Sequence, residues 1–202
     1  MKADHPSPFA YKAAAWMLHC EPAAIQAVAE VEAGPHGAFL DSGEPVILFE
    51  RHVFRALTQG RFAGARVPDA PEAWSLISSS ARGGYGPVSV QHRRLQAAVA
   101  LDRDAALRSA SWGLYQQLGR HQCYSPSLQR FVTAMYRSAD DHLRAFVMFI
   151  RADERLVDAL RGRNWPVFAR WYNGPAHAEH DYAGRMAAAY YRLAVKTEAG
   201  DG

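Results

Sequence analysis

Ala27-Val28-Ala29-Glu30-Val31-Glu32-Ala33-Gly34 reads as the end of an apolar helix that carries a carboxylate on its buried side just before it stops. Ile25, Val28, Ala29 and Glu32 fall at i, i+3, i+4 and i+7, the spacing of one helical stripe, so Glu32 occupies a position where a core residue belongs. Glu30, about 200° around the same helix, faces water. Burial disfavours the charged form of a carboxyl, and so does the negative end of a helix; both raise the pKa of Glu32. A carboxyl kept protonated near neutral pH is what a general acid must be. Pro22 opens this helix and Gly34-Pro35 stops it.

Toward the amino terminus, residues 8–19 are a predicted helix with Phe9, Ala13, Trp16, Met17 and Cys20 on its apolar side. In the other direction, the turn residues Asp41-Ser42-Gly43-Glu44-Pro45 lead into Val46-Ile47-Leu48-Phe49, a short buried strand that delivers the chain to Glu50. From there a third helix is predicted, with Val53, Phe54 and Leu57 at i+3, i+4 and i+7 from Glu50. A second carboxylate thus stands on an apolar stripe, now at a helix N-terminus, where the dipole favours the ionised form. Residues 60–87, rich in Gly, Pro, Ser and Arg, form a loop of the length that borders a cleft.

Beyond the loop the chain reads as helical again. Ser89 caps a helix reaching Leu101, Asp102 caps a short one through Leu107, and residues 111–118 form a turn or helix closed by Gly119. Ser125-Pro126 opens a helix with the stripe Leu128, Phe131, Val132 and Met135, and Leu143, Phe146, Val147 and Ile150 make a second stripe. These two helices are the predicted core. Residues 156–160, 167–171 and 182–195 complete the set, with Asn173-Gly174-Pro175 breaking the chain between the last two. The fold class is mainly α, with a minimal short β element.

Composition bounds the function. With 202 residues, 49% of them hydrophobic and 11% aromatic, the chain can bury a core as a single domain, 1–202. Its longest apolar runs, 46–49 and 145–150, fall far short of the roughly 20 residues that cross a bilayer, so no membrane insertion is predicted. The start, Met1-Lys2-Ala3-Asp4-His5-Pro6, shows no apolar segment and no small-residue cleavage site, which predicts cytoplasmic synthesis without a signal peptide. Cys20 and Cys123 are too sparse for a disulfide framework and are predicted as free, buried thiols. A net charge of +3 suits an anionic polymer, but the 23 Lys and Arg residues are scattered, and nucleic acid is not a predicted partner.

One proton donor and one carboxylate are the two parts needed to cleave a glycosidic bond through an oxocarbenium-like state. The competing reading is that Glu32 caps or bridges locally and that Glu50 N-caps its helix while pairing with an arginine. Other chemistries find less support. His19-Cys20, His121-x-Cys123 and His177-x-x-His180 lack the i, i+4 spacing and accompanying Glu of a zinc peptidase, and Arg82-Gly83-Gly84-Tyr85-Gly86 lacks the Lys-Ser/Thr of a phosphate loop and reads as a flexible turn. Neither a metal nor a cofactor is predicted.

Glu32-Ala33-Gly34, then Gly37-Ala38-Phe39-Leu40, then Pro45-Val46-Ile47-Leu48-Phe49-Glu50-Arg51-His52-Val53-Phe54 resemble the opening signature of the phage-type N-acetylmuramidase (endolysin) family of the lysozyme-like superfamily. Leu101-Asp102-Arg103-Asp104-Ala105-Ala106-Leu107 with Ser109-Ala110-Ser111-Trp112-Gly113-Leu114-Tyr115-Gln116 is similar to its second block, and Tyr172-Asn173-Gly174-Pro175 to its third. The resemblance covers about residues 8–195. It implies a lysozyme-like helical domain acting on bacterial peptidoglycan, with Glu32 as catalytic acid, Glu50 as second carboxylate, and Ser111, Tyr115, Gln116, Tyr172 and Asn173 as substrate-binding residues. For Tyr172 and Asn173, a helix end turned by Asn-Gly is an equal alternative. Members of that family often also carry an N-terminal wall-binding module, and none is predicted here; the chain is expected to be a monomer and, by the resemblance, to reach the wall through a holin or a secretion system. A lytic transglycosylase and a non-hydrolytic glycan-binding module stay open beside the hydrolase. The chain departs from the family pattern at Ala33, at Gln117-Leu118-Gly119-Arg120-His121 and at Ala176.

Overall fold

The computed structural model describes residues 2–121 and 127–200. The chain starts with α1 (Pro8–Leu18) and α2 (Pro22–Ala33), each opened by a proline in its first turn where the missing N–H is harmless. Ser7 caps α1 by accepting from the Ala10 N–H at 3.2 Å. The helix lies where the sequence predicts, but its buried face is the other one: Tyr11, Ala14, Ala15 and Leu18 face the core, while Phe9 is 82% and Trp16 78% exposed. Small alanines on that face allow close approach to α2, itself rich in buried alanine, and this outweighs the larger apolar area of the two aromatics.

β1 (Ile47–Phe49) leads into α3 (Arg51–Leu57), and the long loop that follows contains the short α4 (Glu72–Ser75). α5 (Gln91–Leu101) begins after a 3-10 turn that holds Ser89, which therefore does not cap it. α6 (Arg103–Arg108) is capped as predicted, Asp102 accepting from the Ala105 N–H at 3.0 Å. Residues 111–118 are not a helix. β2 (Ala110–Trp112) and β3 (Gln117–Leu118) form a hairpin, and with β1 they make a three-stranded antiparallel sheet in which Leu48 pairs with Ser111 and Ser111 with Leu118. Strands this short show no readable alternation; partners far along the chain decide them.

α7 (Leu128–Arg137), α8 (Ala139–Arg151), α9 (Glu154–Arg161), α10 (Trp165–Tyr172) and α11 (Tyr182–Gly200) complete the chain. The predicted cap at Ser125-Pro126 lies outside the described residues; Ser127 caps α7, accepting from the Arg130 N–H at 3.2 Å. Both predicted core stripes are buried throughout. They serve two apolar cores. One gathers α1, α2 and α8 to α11 around Phe146 and Ile150; the other gathers the sheet with α3, α5, α6 and α7 around Phe49, Phe54, Trp112 and Phe131. Adjacent residues of α8, Ala145 and Phe146, face one core each, so this helix joins the two halves. Cys20 is free but only half-buried, and burial pushes its thiol up to about 11; Cys123 lies outside the described residues. No described helix is long and apolar enough to cross a membrane.

Candidate active site

A cleft of about 480 Å³ opens where the two halves meet. The first half supplies Glu32 from the end of α2, Tyr172 and Asn173 from the end of α10, and Tyr182 from the start of α11. The second supplies Leu48, Glu50 and His52 from β1 and its junction with α3, and Ser111 from the central strand β2. The volume falls in the range of small-ligand sites.

Glu32 sits in the last turn of α2 because Gly34, at φ +55°, ends the helix there. Its Oε1 accepts a 2.6 Å hydrogen bond from the Asn173 amide. Burial, opposed by that bond and by the charge of Arg185, lifts its carboxyl to about 7. The partner comes from the far end of the chain, so Glu32 neither caps nor bridges locally. Glu30 is exposed and pairs with Arg192, as its place on the opposite face requires.

Glu50 occupies the N-cap position of α3 without making a capping bond. Nor does it pair with an arginine among the described residues. Its Oε2 accepts from the Tyr85 hydroxyl at 2.8 Å and lies 3.4 Å from Nδ1 of His52. Burial first, then the Glu50 charge and this bond, push the Tyr85 phenol up to about 12, so it remains a donor. Tyr85 was hidden in the sequence within Arg82-Gly83-Gly84-Tyr85-Gly86, read there as a flexible turn. The turn is held: the buried Arg94 donates to the carbonyls of Tyr85 at 2.6 Å and Gly84 at 3.3 Å, Gln91 Nε2 to that of Tyr85 at 2.6 Å, and Arg51 to that of Gly83. Gly84 is at φ +61°, and a Cβ there would collide with the Arg51 guanidinium. The nearby loop signal, a long segment beside a cleft, was readable; which of its side chains enters was not.

Ser111, Gln116, Tyr172 and Asn173 line the same cleft as the two glutamates. Gln116 has a left-handed backbone, φ +44°, unusual for a residue with a side chain, and its amide donates to the Gly113 carbonyl at 2.8 Å. Tyr172 donates to the Tyr115 carbonyl at 2.6 Å. Asn173 keeps its Oδ1 buried without a hydrogen-bond partner among the described residues, an acceptor left for a bound molecule. Tyr115 is the exception: its side chain is buried in the first core, with its ring stacked on Phe146 at 4.3 Å, and only its backbone supports the cleft. Sequence reading also missed Arg82, Arg120, His121, Phe149 and Trp171, which line the cleft without a motif to mark them.

A mainly helical domain with a small sheet, two halves, and two carboxylates facing one cleft define a glycoside hydrolase of the lysozyme type. The N-acetylmuramidase family model matches residues 21–194, and the chain belongs to that family. The crystal structure of an endolysin from Burkholderia phage AP3 superimposes with a TM-score of 0.81 at 34% identity, over 97% of this chain and 73% of that one. No curated protein matches the chain.

Proposed function

We propose that the chain hydrolyses the β-1,4 bond between N-acetylmuramic acid and N-acetylglucosamine in bacterial peptidoglycan, with Glu32 as general acid. The observation that carries this reading is the state of Glu32: a carboxyl lifted to about 7 and opening on a cleft that also holds Glu50. The protonated carboxyl gives its proton to the glycosidic oxygen as the bond breaks, and the charge that develops on the sugar is offset by Glu50, which the Tyr85 hydroxyl holds in place. Asn173 and Ser111 offer the amide and hydroxyl that N-acetyl and hydroxyl groups pair with, and Tyr172 and Tyr182 offer aromatic surface for sugar rings. Membership in the N-acetylmuramidase family and the likeness to a phage endolysin support peptidoglycan as the substrate.

The test is release of reducing ends from purified wall. Glu32→Gln is expected to abolish it while leaving the far-ultraviolet circular dichroism unchanged. Full activity in that variant rejects the assignment, and 1,6-anhydro ends in the products of the unaltered protein reject a hydrolase.

A further inference from the structure

The carboxylates leave the cations of the cleft without a role. Arg82, from the loop before α5, and Arg120, from the 3-10 turn Gly119–His121 after β3, both line the cleft and are both exposed. Each is close enough to His52 for its charge to help hold that imidazole neutral, so two guanidiniums from different segments converge on one end of the cleft. Arg66, Arg108 and Arg155 have acidic partners. Arg82 and Arg120 pair with no carboxylate among the described residues. Among the described residues Arg120 makes one side-chain bond, from Nε to Nε2 of His121 at 2.8 Å, which orients its planar head and leaves both terminal amino groups for a ligand. That geometry suits a carboxylate, which an arginine grips through two parallel N–H donors.

A glycan of N-acetyl sugars whose lactyl groups are amide-linked to peptide carries no free carboxylate; the peptide stems do. We infer that Arg82 and Arg120 bind carboxylates of the peptide stems, so that the enzyme cuts peptide-bearing glycan in preference to bare glycan. The inference rests on the muramidase reading above.

The test compares initial rates, at substrate below saturation, on three forms of one peptidoglycan. The first has native stems, the second has its carboxylates capped as methylamides, and the third is stripped of peptides by an amidase, which exposes a lactyl carboxylate on each muramic acid. For the unaltered enzyme, capping and stripping are each expected to lower kcat/KM about tenfold, the scale of two partly exposed ion pairs. The double variant Arg82→Gln/Arg120→Gln, with an unchanged melting temperature, is expected to be about tenfold poorer on native stems and to treat native and capped wall alike. A merely structural role would not move that ratio. A double variant that still distinguishes native from capped wall, or an unaltered enzyme indifferent to capping, overturns the inference and leaves the muramidase reading standing. Full activity on stripped glycan contradicts the preference for peptide-bearing glycan and also overturns it. No release from any of the three by the unaltered enzyme overturns the muramidase reading and the inference with it.

Discussion

The Asn173 amide donates to Oε1 of Glu32 at 2.6 Å, tying the last turn of α2 to the end of α10 on one wall of the cleft. This bond stabilises the charged carboxylate and so works against burial, which keeps the carboxyl protonated. If Glu32 is the acid, kcat/KM falls as pH rises through about 7. Removing the bond with Asn173→Ala is expected to move that alkaline limb to higher pH, and Arg185→Gln to move it the same way by less. A pH–rate profile on soluble peptidoglycan fragments checks this; a limb that shifts downward in either variant refutes the assignment.

The raised carboxyl of Glu32 also has a consequence for stability. Its folded pKa of about 7 lies above the ordinary 4.5, so its contribution is fully present below pH 4.5 and is lost as pH rises through 7. Glutamine keeps an oxygen to accept from Asn173 and never ionises. Glu32→Gln should therefore be more stable than the unaltered protein at pH 8 by about 2 kcal/mol, after discounting for water in the cleft, and about equal at pH 4. Urea unfolding at the two pH values measures the difference. Equal stability at pH 8 would mean that the carboxylate is well solvated.

Tyr85 and Glu50 form the second half of the site. Tyr85→Phe removes one hydroxyl donor from the carboxylate proposed to offset charge on the sugar, and is expected to lower kcat about tenfold while costing about 1 kcal/mol of stability. Glu50→Gln should likewise impair turnover more than folding. Steady-state rates beside thermal melts separate the two effects. A large fall in melting temperature with turnover retained would make Glu50 a structural residue.

How much of this was legible depended on where the information lay. The stripe ending at Glu32, the run from Val46 to Glu50, and the stripes of α7 and α8 are local patterns, and each was readable because helical period and turn residues are written within a few positions of one another. The resemblance carried Ser111, Gln116, Tyr172 and Asn173 to the cleft. Features set by distant partners were not readable. The hairpin of β2 and β3 forms because β1 pairs with it, and α1 turned its alanine face inward because α2 offered a close-packing surface. Tyr115 was drawn into the site by its neighbours in sequence, although the core had a place for its ring against Phe146.

His142 of α8 holds the β2–β3 turn that carries Gln116. Its Nδ1 accepts from the Leu114 N–H at 3.1 Å, its Nε2 pairs with the Met135 carbonyl at 2.7 Å, and Gly113, at φ +66°, passes so close that a Cβ would lie 2.5 Å from Nδ1. Accepting at Nδ1 requires a neutral ring, with the proton on Nε2. Burial lowers the folded pKa from 6.5 to about 4, although the Met135 bond and Asp141 oppose it. The associated stability is therefore present above pH 6.5 and is lost as pH falls through 4, amounting to about 3 kcal/mol for a shift of this size. His142→Gln is expected to destabilise the protein at pH 7 by about 2 kcal/mol and to flatten this part of the acid slope. Gly113→Ala should destabilise at both pH values, through a clash that does not titrate. Urea midpoints at pH 7 and pH 4.5 distinguish the two, and an acid slope unchanged in His142→Gln would place the titrating group elsewhere.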